Sequence, residues 1–350
     1  MMSMERNTNI RFEYKKLKEL IKMHIFIVIS FILIIIPVFL PLGFSPDSLS
    51  YYETIDLPPS HFNFLSFEPL YWLVVYVNQI LFNGSWASFL LFFSFIYVSL
   101  NAYLIHKYSP SPFLSFLIFM LLFYPIFGLI QIRDGVSIAF VWWAIFNLME
   151  GKKIRFIIKT IIAILFHYAS IIFFLALFLS KKRINRKFYL LLPIFGLLLG
   201  KYVLNLEVFK LIVNYLPGFL KHKAQLYLYI LEYQPEHIFN RINILNAYVL
   251  FIILVYYVSL FTDRSNNYSV LFTKMVGFAI FFWFSFMNIP VFSFRFSNKF
   301  NTFLVFLIPY ILNNFRKDER TLIYLLLILM LVLLSWNIYI RHEVFDFSVL

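Results

Sequence analysis

The chain has 350 residues, is 62% hydrophobic and only 13% charged, and its mean hydropathy is +0.82. No soluble domain of this length hides so much apolar surface behind so few charges, so the composition excludes the water-soluble classes and leaves a polytopic membrane protein. The formal net charge of +13 comes from Lys and Arg that punctuate apolar segments instead of forming a patch on a soluble module, which argues for membrane anchors and against a nucleic-acid partner.

Residues 1–22 carry Arg6, Arg11, Lys15, Lys16, Lys18 and Lys22 ahead of the first apolar run, the mark of a cytoplasmic N-terminus. The run 23–42 contains Pro37 and Pro41 at its end. It is too long for a signal-peptide core and no small-residue cleavage site follows, so it is expected to remain as a helix. The loop 43–67 contains Asp47, Glu53, Asp56, Pro58 and Pro59 without a single Lys or Arg, and reads as external and acidic. Residues 68–82 are apolar but short for a span. Residues 86–105 return inward and 112–130 cross outward, delivering Arg133 and Asp134 to the external side. Residues 135–149 then lead back to a basic turn at Lys152, Lys153 and Arg155.

The segment 156–179 is long enough to cross, yet it is basic at both ends, with Lys181, Lys182, Arg183, Arg186 and Lys187 after it. A straight crossing would leave one basic loop outside. The positive-inside rule is kept if the segment enters, breaks near His167 and comes back, or if it crosses straight and residues 68–82 span as well. Residues 188–204 then span outward, and 207–241 form an external stretch in which Phe209, Ile212, Val213 and Leu216 recur at helical spacing. The runs 242–261, 270–289, 292–312 and 321–340 complete the alternation, the third carrying Arg295, Asn298 and Lys299 at its head. The expected fold class is all-α: a polytopic transmembrane helical bundle of about nine to eleven spans, with one re-entrant or broken helix and an external amphipathic segment. The organisation is a cytoplasmic basic stretch 1–22, a single integral membrane domain 23–340 with external loops at 43–85 and 206–241, and a short tail 341–350.

Ionisable groups inside membrane-length apolar sequence cost about 2.5–3.5 kcal/mol each on insertion scales, which makes them functional candidates by default. Arg133 and Arg295 reach the same external face, each at the opening of an inward-running helix, where unpaired N–H groups and the dipole also favour an anion. Snorkelling to a lipid head group is the plainer reading of such an arginine. Arg295, Asn298, Lys299 and Thr302 share one helical face. A guanidinium grips a phosphate bidentately, whereas Lys acts as a point charge. With Asp47 and Glu68 in the facing loop, the set suits transfer chemistry on a lipid-linked phosphate or pyrophosphate.

His167 has no partner His or carboxylate at ligand spacing, so no metal is expected. It reads either as a site residue or as a packed core histidine with Tyr168 and Ser170 as polar partners. Cysteine is absent, as are a Gly-rich phosphate loop and a Gly-x-Ser-x-Gly elbow, which argues against a thiol nucleophile, nucleotide-driven transport and a serine hydrolase. The 47 Phe and 23 Tyr are mostly lipid-facing bulk, although external tyrosines and Trp86 could stack on sugars.

The succession of short motifs resembles the EpsG family of polysaccharide polymerases, relatives of the Wzy O-antigen polymerases. The resemblance rests on Asp47-x-x-x-Tyr51, on Glu68-Pro69-Leu70-Tyr71, and on Ile132-Arg133-Asp134-Gly135-Val136-Ser137-Ile138-Ala139, which is similar to an Arg-Gln-Gly-x-Ala-x-Ala pattern. Phe166-His167-Tyr168-Ala169-Ser170 is similar to a Phe-His-x-Ser pattern, and Arg295-Phe296-Ser297 to a late Arg-Ile-Ser element. Together these cover roughly residues 40–310. Asp134 stands where Gln is usual, Ala169-Ser170 offsets the His-x-Ser spacing by one, and Asn298-Lys299-Phe300 lacks the usual aromatic.

The resemblance implies a multi-spanning glycosyltransferase that joins repeat units carried on undecaprenyl pyrophosphate at the outer face of the cell membrane. Arg133 and Arg295 would stabilise the leaving pyrophosphate, in place of a divalent metal. Asp47, Glu68 or His167 would take the acceptor proton, with Asp47 preferred because its loop has no local cation to occupy it. Tyr51, Glu68, Asn298 and Lys299 would contact the substrate. The implied partners are lipid-linked oligosaccharide donor and acceptor, membrane lipids, and a chain-length regulator and flippase of the same pathway; no cofactor is implied. The competing readings are a membrane-bound O-acyltransferase, which explains His167 but leaves both arginines idle, and a lipid-linked sugar flippase.

Overall fold

A computed structural model describes residues 2–233, 243–262, 266–341 and 344–349, and every regular element among them is a helix. Lipid offers no water to backbone N–H and C=O groups, so a chain of this composition satisfies them within helices. In order these are α1 (Met2–Phe39), α2 (Ser48–Ile55), α3 (Pro69–Phe82), α4 (Trp86–Tyr108), α5 (Pro112–Ile118), α6 (Ile132–Met149) and α7 (Lys153–Phe166). There follow α8 (Arg186–Tyr202), α9 (Leu206–Asn214), α10 (Gly218–Tyr233), α11 (Ala247–Phe261), α12 (Asn267–Ser285), α13 (Pro290–Asn301), α14 (Leu304–Leu312) and α15 (Lys317–Ser335). Local chemistry sets many of the boundaries. Proline opens α3, α5 and α13, where its missing N–H costs nothing. Asn185, Asn205, Asn246 and Asn266 cap α8, α9, α11 and α12 by accepting a backbone N–H of the first turn.

Among the described residues, five helical stretches are long and apolar enough to cross a membrane: Leu20–Phe39, Trp86–Tyr108, Ile132–Met149, Asn267–Ser285 and Asp318–Arg341. The pair α8 and α9, bent by 87°, makes a sixth if taken as one span. The remaining apolar runs expected to span are met by shorter or interrupted helices. After α5 the chain widens into π-helical turns over Phe119–Phe123 and Pro125–Ile130, and a break at Thr302–Phe303 separates α13 from α14. Hydropathy sees the apolar run and not the break, because an interruption buried among other helices leaves the side chains just as apolar.

The centre of the bundle is α6 and α12, with 78% and 83% of their span residues buried, against 28% for α1 and 22% for α15. Helices α8 and α12 approach most closely at Gly196 and Gly200, where added Cβ atoms would lie 2.7 Å from the Phe281 oxygen and 2.1 Å from the Phe284 oxygen. Helix α9 turns its Phe209 and Val213 against α10 and Ile289, so the described part of the amphipathic segment packs on the turn between α12 and α13. The rest of that segment, 234–241, lies outside the described residues.

Residues 153–178 decide where the site sits. Helix α7 stops at His167, whose backbone is extended (φ −157°, ψ 112°), and the chain continues as a 3-10 helix over Tyr168–Phe178. The second arm folds back on the first: the Phe174 ring packs on Phe156, with ring centres 6.2 Å apart. Lys181 then donates to the Leu148 carbonyl at the end of α6, beside the turn from which α7 starts. Buried Lys274 of α12 holds the far end of the second arm, donating to the Ser180 carbonyl and to that of Arg183 at 2.5 Å. Residues 153–178 are thus a hairpin with His167 at its tip, the arrangement that the basic flanks favour. Single cysteines at Lys153 and Lys182 in this cysteine-free chain are expected to react with an impermeant thiol reagent from the same side of the membrane. Labelling of the two from opposite sides would remove the hairpin.

Candidate functional site

Four elements converge on the hairpin tip: the turn before α2, the start of α3, the start of α6 and the middle of α13. The α2 turn is pinned by Ser48, whose hydroxyl accepts from Gly43 N–H (3.1 Å) and donates to the Ser45 carbonyl (2.6 Å). The C-terminal residues brace it from behind, with Phe345 stacked on Phe44 at 5.0 Å and Asp346 N–H donating to the Phe44 carbonyl at 3.0 Å. Asp47 stands at the N-cap of α2, but its carboxylate does not cap the helix. Burial pushes that carboxyl above its ordinary value, against the opposing pull of Arg133 and Arg295, whose fields both reach it.

Arg133 occupies the second position of α6, in a cage of rings. Its guanidinium carbon lies 4.4 Å from the Phe67 ring centre, 5.4 Å from that of Tyr71 and 5.6 Å from that of Tyr51. It donates to Glu68, which is buried at the start of α3 and also accepts the Tyr168 N–H of the hairpin at 3.4 Å. The Nε–H of Arg133 finds no acceptor among the described residues. That orphaned donor beside a satisfied ion pair marks a place for a ligand oxygen.

One residue on, Asp134 is buried and takes the ammonium of Lys299, which is itself fully buried. Lys299 also donates to the Ser170 hydroxyl at 2.9 Å, and the Ser170 and Ser137 hydroxyls bond at 2.5 Å. Ser137 gives its single proton to the Ala163 carbonyl at 2.7 Å, so the bonds run in one direction from Lys299 through Ser170 and Ser137 to the end of α7. Gly135 lets α6 come this close to the π-helical stretch, because a Cβ there would lie 2.1 Å from the Phe127 oxygen. His167 joins the two halves: its Nε2 lies 3.2 Å from the Arg295 guanidinium and its Nδ1 lies 3.9 Å from Asp134 Oδ1. Arg295 has the Tyr227 ring of α10 over it at 5.2 Å.

The structure therefore gathers Asp47, Tyr51, Glu68, Arg133, His167 and Arg295 in one place, although they span nearly 250 residues of sequence. Asn298 is half-buried on α13, three residues beyond Arg295. Lys299, expected at the substrate, is instead sealed beneath the site by Asp134 and Ser170. Arg295 is not at a helix opening: α13 begins at Pro290, so Arg295 lies beyond the first turn, where the dipole has little influence. Asp134, Ser137 and Ser170 escaped attention as a unit, and the only sequence signal for them was the unusual placing of a Lys and an Asp in apolar runs. Among the described residues no three His, Asp or Glu side chains converge as a metal site would require.

Fold and site together define a multi-pass membrane protein with two aromatic-flanked arginines and a carboxylate at one end of the bundle. The chain matches the EpsG family over residues 24–349 and belongs to it, which makes it a membrane protein of polysaccharide synthesis. No curated protein and no solved structure gives a match to the chain.

Proposed function

We propose that this protein is a polymerase that joins oligosaccharide repeat units carried on undecaprenyl pyrophosphate into surface polysaccharide. The observation that carries the reading is the placing of Asp47 in the fields of both Arg133 and Arg295, with the Arg133 Nε–H left without an acceptor among the described residues. An acceptor sugar hydroxyl attacks the donor's anomeric carbon while Asp47 takes the hydroxyl proton. The new carbon–oxygen bond forms as the bond to the lipid pyrophosphate breaks, and the charge left on the pyrophosphate falls to Arg133 and Arg295. His167 shapes the site by holding Arg295, and Tyr51, Glu68 and Asn298 surround the substrate. The positive-inside rule assigns the basic end of the bundle, with Lys107, Lys152, Lys153 and Lys182, to the cytoplasm, so the site end faces out.

A gel of surface glycan from a strain lacking the gene is the direct test. Loss of this polymerase leaves single repeat units on display. Absence of any displayed unit would point to a flippase instead, and full-length chains lacking acyl groups to an acyltransferase.

A further inference from the structure

The network contains one carboxylate to which the proposed reaction assigns no part. Asp134 is buried, and its Oδ1 faces two groups at once: the Lys299 ammonium and, at 3.9 Å, His167 Nδ1. On the other side of the ring, His167 Nε2 lies 3.2 Å from Arg295. A guanidinium has donors and no acceptor, so in this contact Arg295 donates and Nε2 supplies the lone pair. The ring proton is then on Nδ1, the nitrogen that faces the carboxylate. At 3.9 Å this is an attraction between charge and N–H dipole, longer than a direct hydrogen bond.

We propose that Asp134 is a positioning residue: it selects the Nδ1–H tautomer of His167, so that Nε2 holds Arg295 at the site. Lys299 serves as its counter-charge, without which a carboxylate so deeply buried would be uncompensated. The logic is that of a carboxylate orienting a histidine in hydrolytic triads, but here the oriented nitrogen receives an arginine and not a reacting hydroxyl. The hairpin makes the arrangement possible. The His167 N–H donates to the Ala163 carbonyl at 2.9 Å, and Ser137 of α6 donates to that same carbonyl, so the last turn of the first arm is held by the tip and by α6 together. The assignment of a role to Arg295 rests on the polymerase reading; the tautomer does not.

The test uses the purified full chain with 15N-labelled histidine, His167 being assigned by difference against His167→Gln. The expected wild-type spectrum has a protonated Nδ1 and an unprotonated Nε2. An Nε2–H tautomer, or a doubly protonated ring at neutral pH, overturns the proposal without any variant. Asp134→Leu combined with Lys299→Met removes both charges together, a replacement that buried ion pairs tolerate far better than loss of one partner. In this double variant the Nδ1–H preference is expected to disappear, and polymer yield to fall tenfold or more. An unchanged His167 spectrum in the folded double variant would reduce Asp134 to a structural ion pair. A changed tautomer with normal glycan length would keep the tautomer assignment and overturn the positioning of Arg295 for polymer formation, while the polymerase reading stands or falls by the strain lacking the gene.

Discussion

Arg133→Lys is expected to lower polymer formation by about 10²–10³-fold while the amount of protein in the membrane stays the same. Lysine keeps the charge and can still pair with Glu68, so the local electrostatic balance of α6 and α3 survives. What is lost is the planar group packed between Phe67, Tyr71 and Tyr51, and with it the Nε–H that no described residue accepts. The loss therefore falls on a ligand and not on the fold. Surface glycan length on a gel, beside an immunoblot of the membrane fraction, checks this. Normal chain length with lysine, and again with alanine, would return Arg133 to a head-group anchor.

Asp47→Asn is expected to abolish polymer formation and to make the protein more stable at neutral pH. The sign follows from the direction of the Asp47 shift. Burial raises its carboxyl in the folded state above the unfolded value, despite the pull of Arg133 and Arg295. The folded protein thus binds this proton more tightly than the unfolded chain does, and keeping the group ionised at neutral pH costs stability. That cost is absent below the unfolded value and grows as pH rises through the folded one. Asparagine removes it along with the base. Activity should run the other way: a base must be ionised, so the acid limb of the wild-type pH profile should lie higher than that of an unperturbed aspartate. A thermal melt of the detergent-solubilised protein and a glycan gel read the two effects separately. Full polymer length in Asp47→Asn, with none in His167→Gln, would transfer the base to His167.

Much of this architecture was legible before any tertiary contact was known. Basic residues on both flanks of 156–179 favoured a hairpin over a straight crossing, and the chain does reverse at His167. The Asn caps and opening prolines are local features that depend on no tertiary contact. Interruptions inside apolar runs were less legible. The π-helical turns after α5 and the break between α13 and α14 leave hydropathy untouched, so nine to eleven expected spans correspond to five span-length helices among the described residues.

What the sequence alone determined was the class, the family and the short roster of charged groups worth examining. Their scarcity in apolar sequence makes each one expensive and therefore visible. It could not say which charge meets which. Glu68 answers Arg133 across 65 residues, and Asp134 answers Lys299 across 165. Lys299 looked like a substrate contact because it shares a helical face with Arg295, yet one further turn along α13 carries it from the site into the core. Only the tertiary structure decided this. Charge and hydropathy are properties of a position in the chain, whereas pairing depends on the depth and rotation of two separate helices, and those are set by packing, such as the close approach that Gly135 permits.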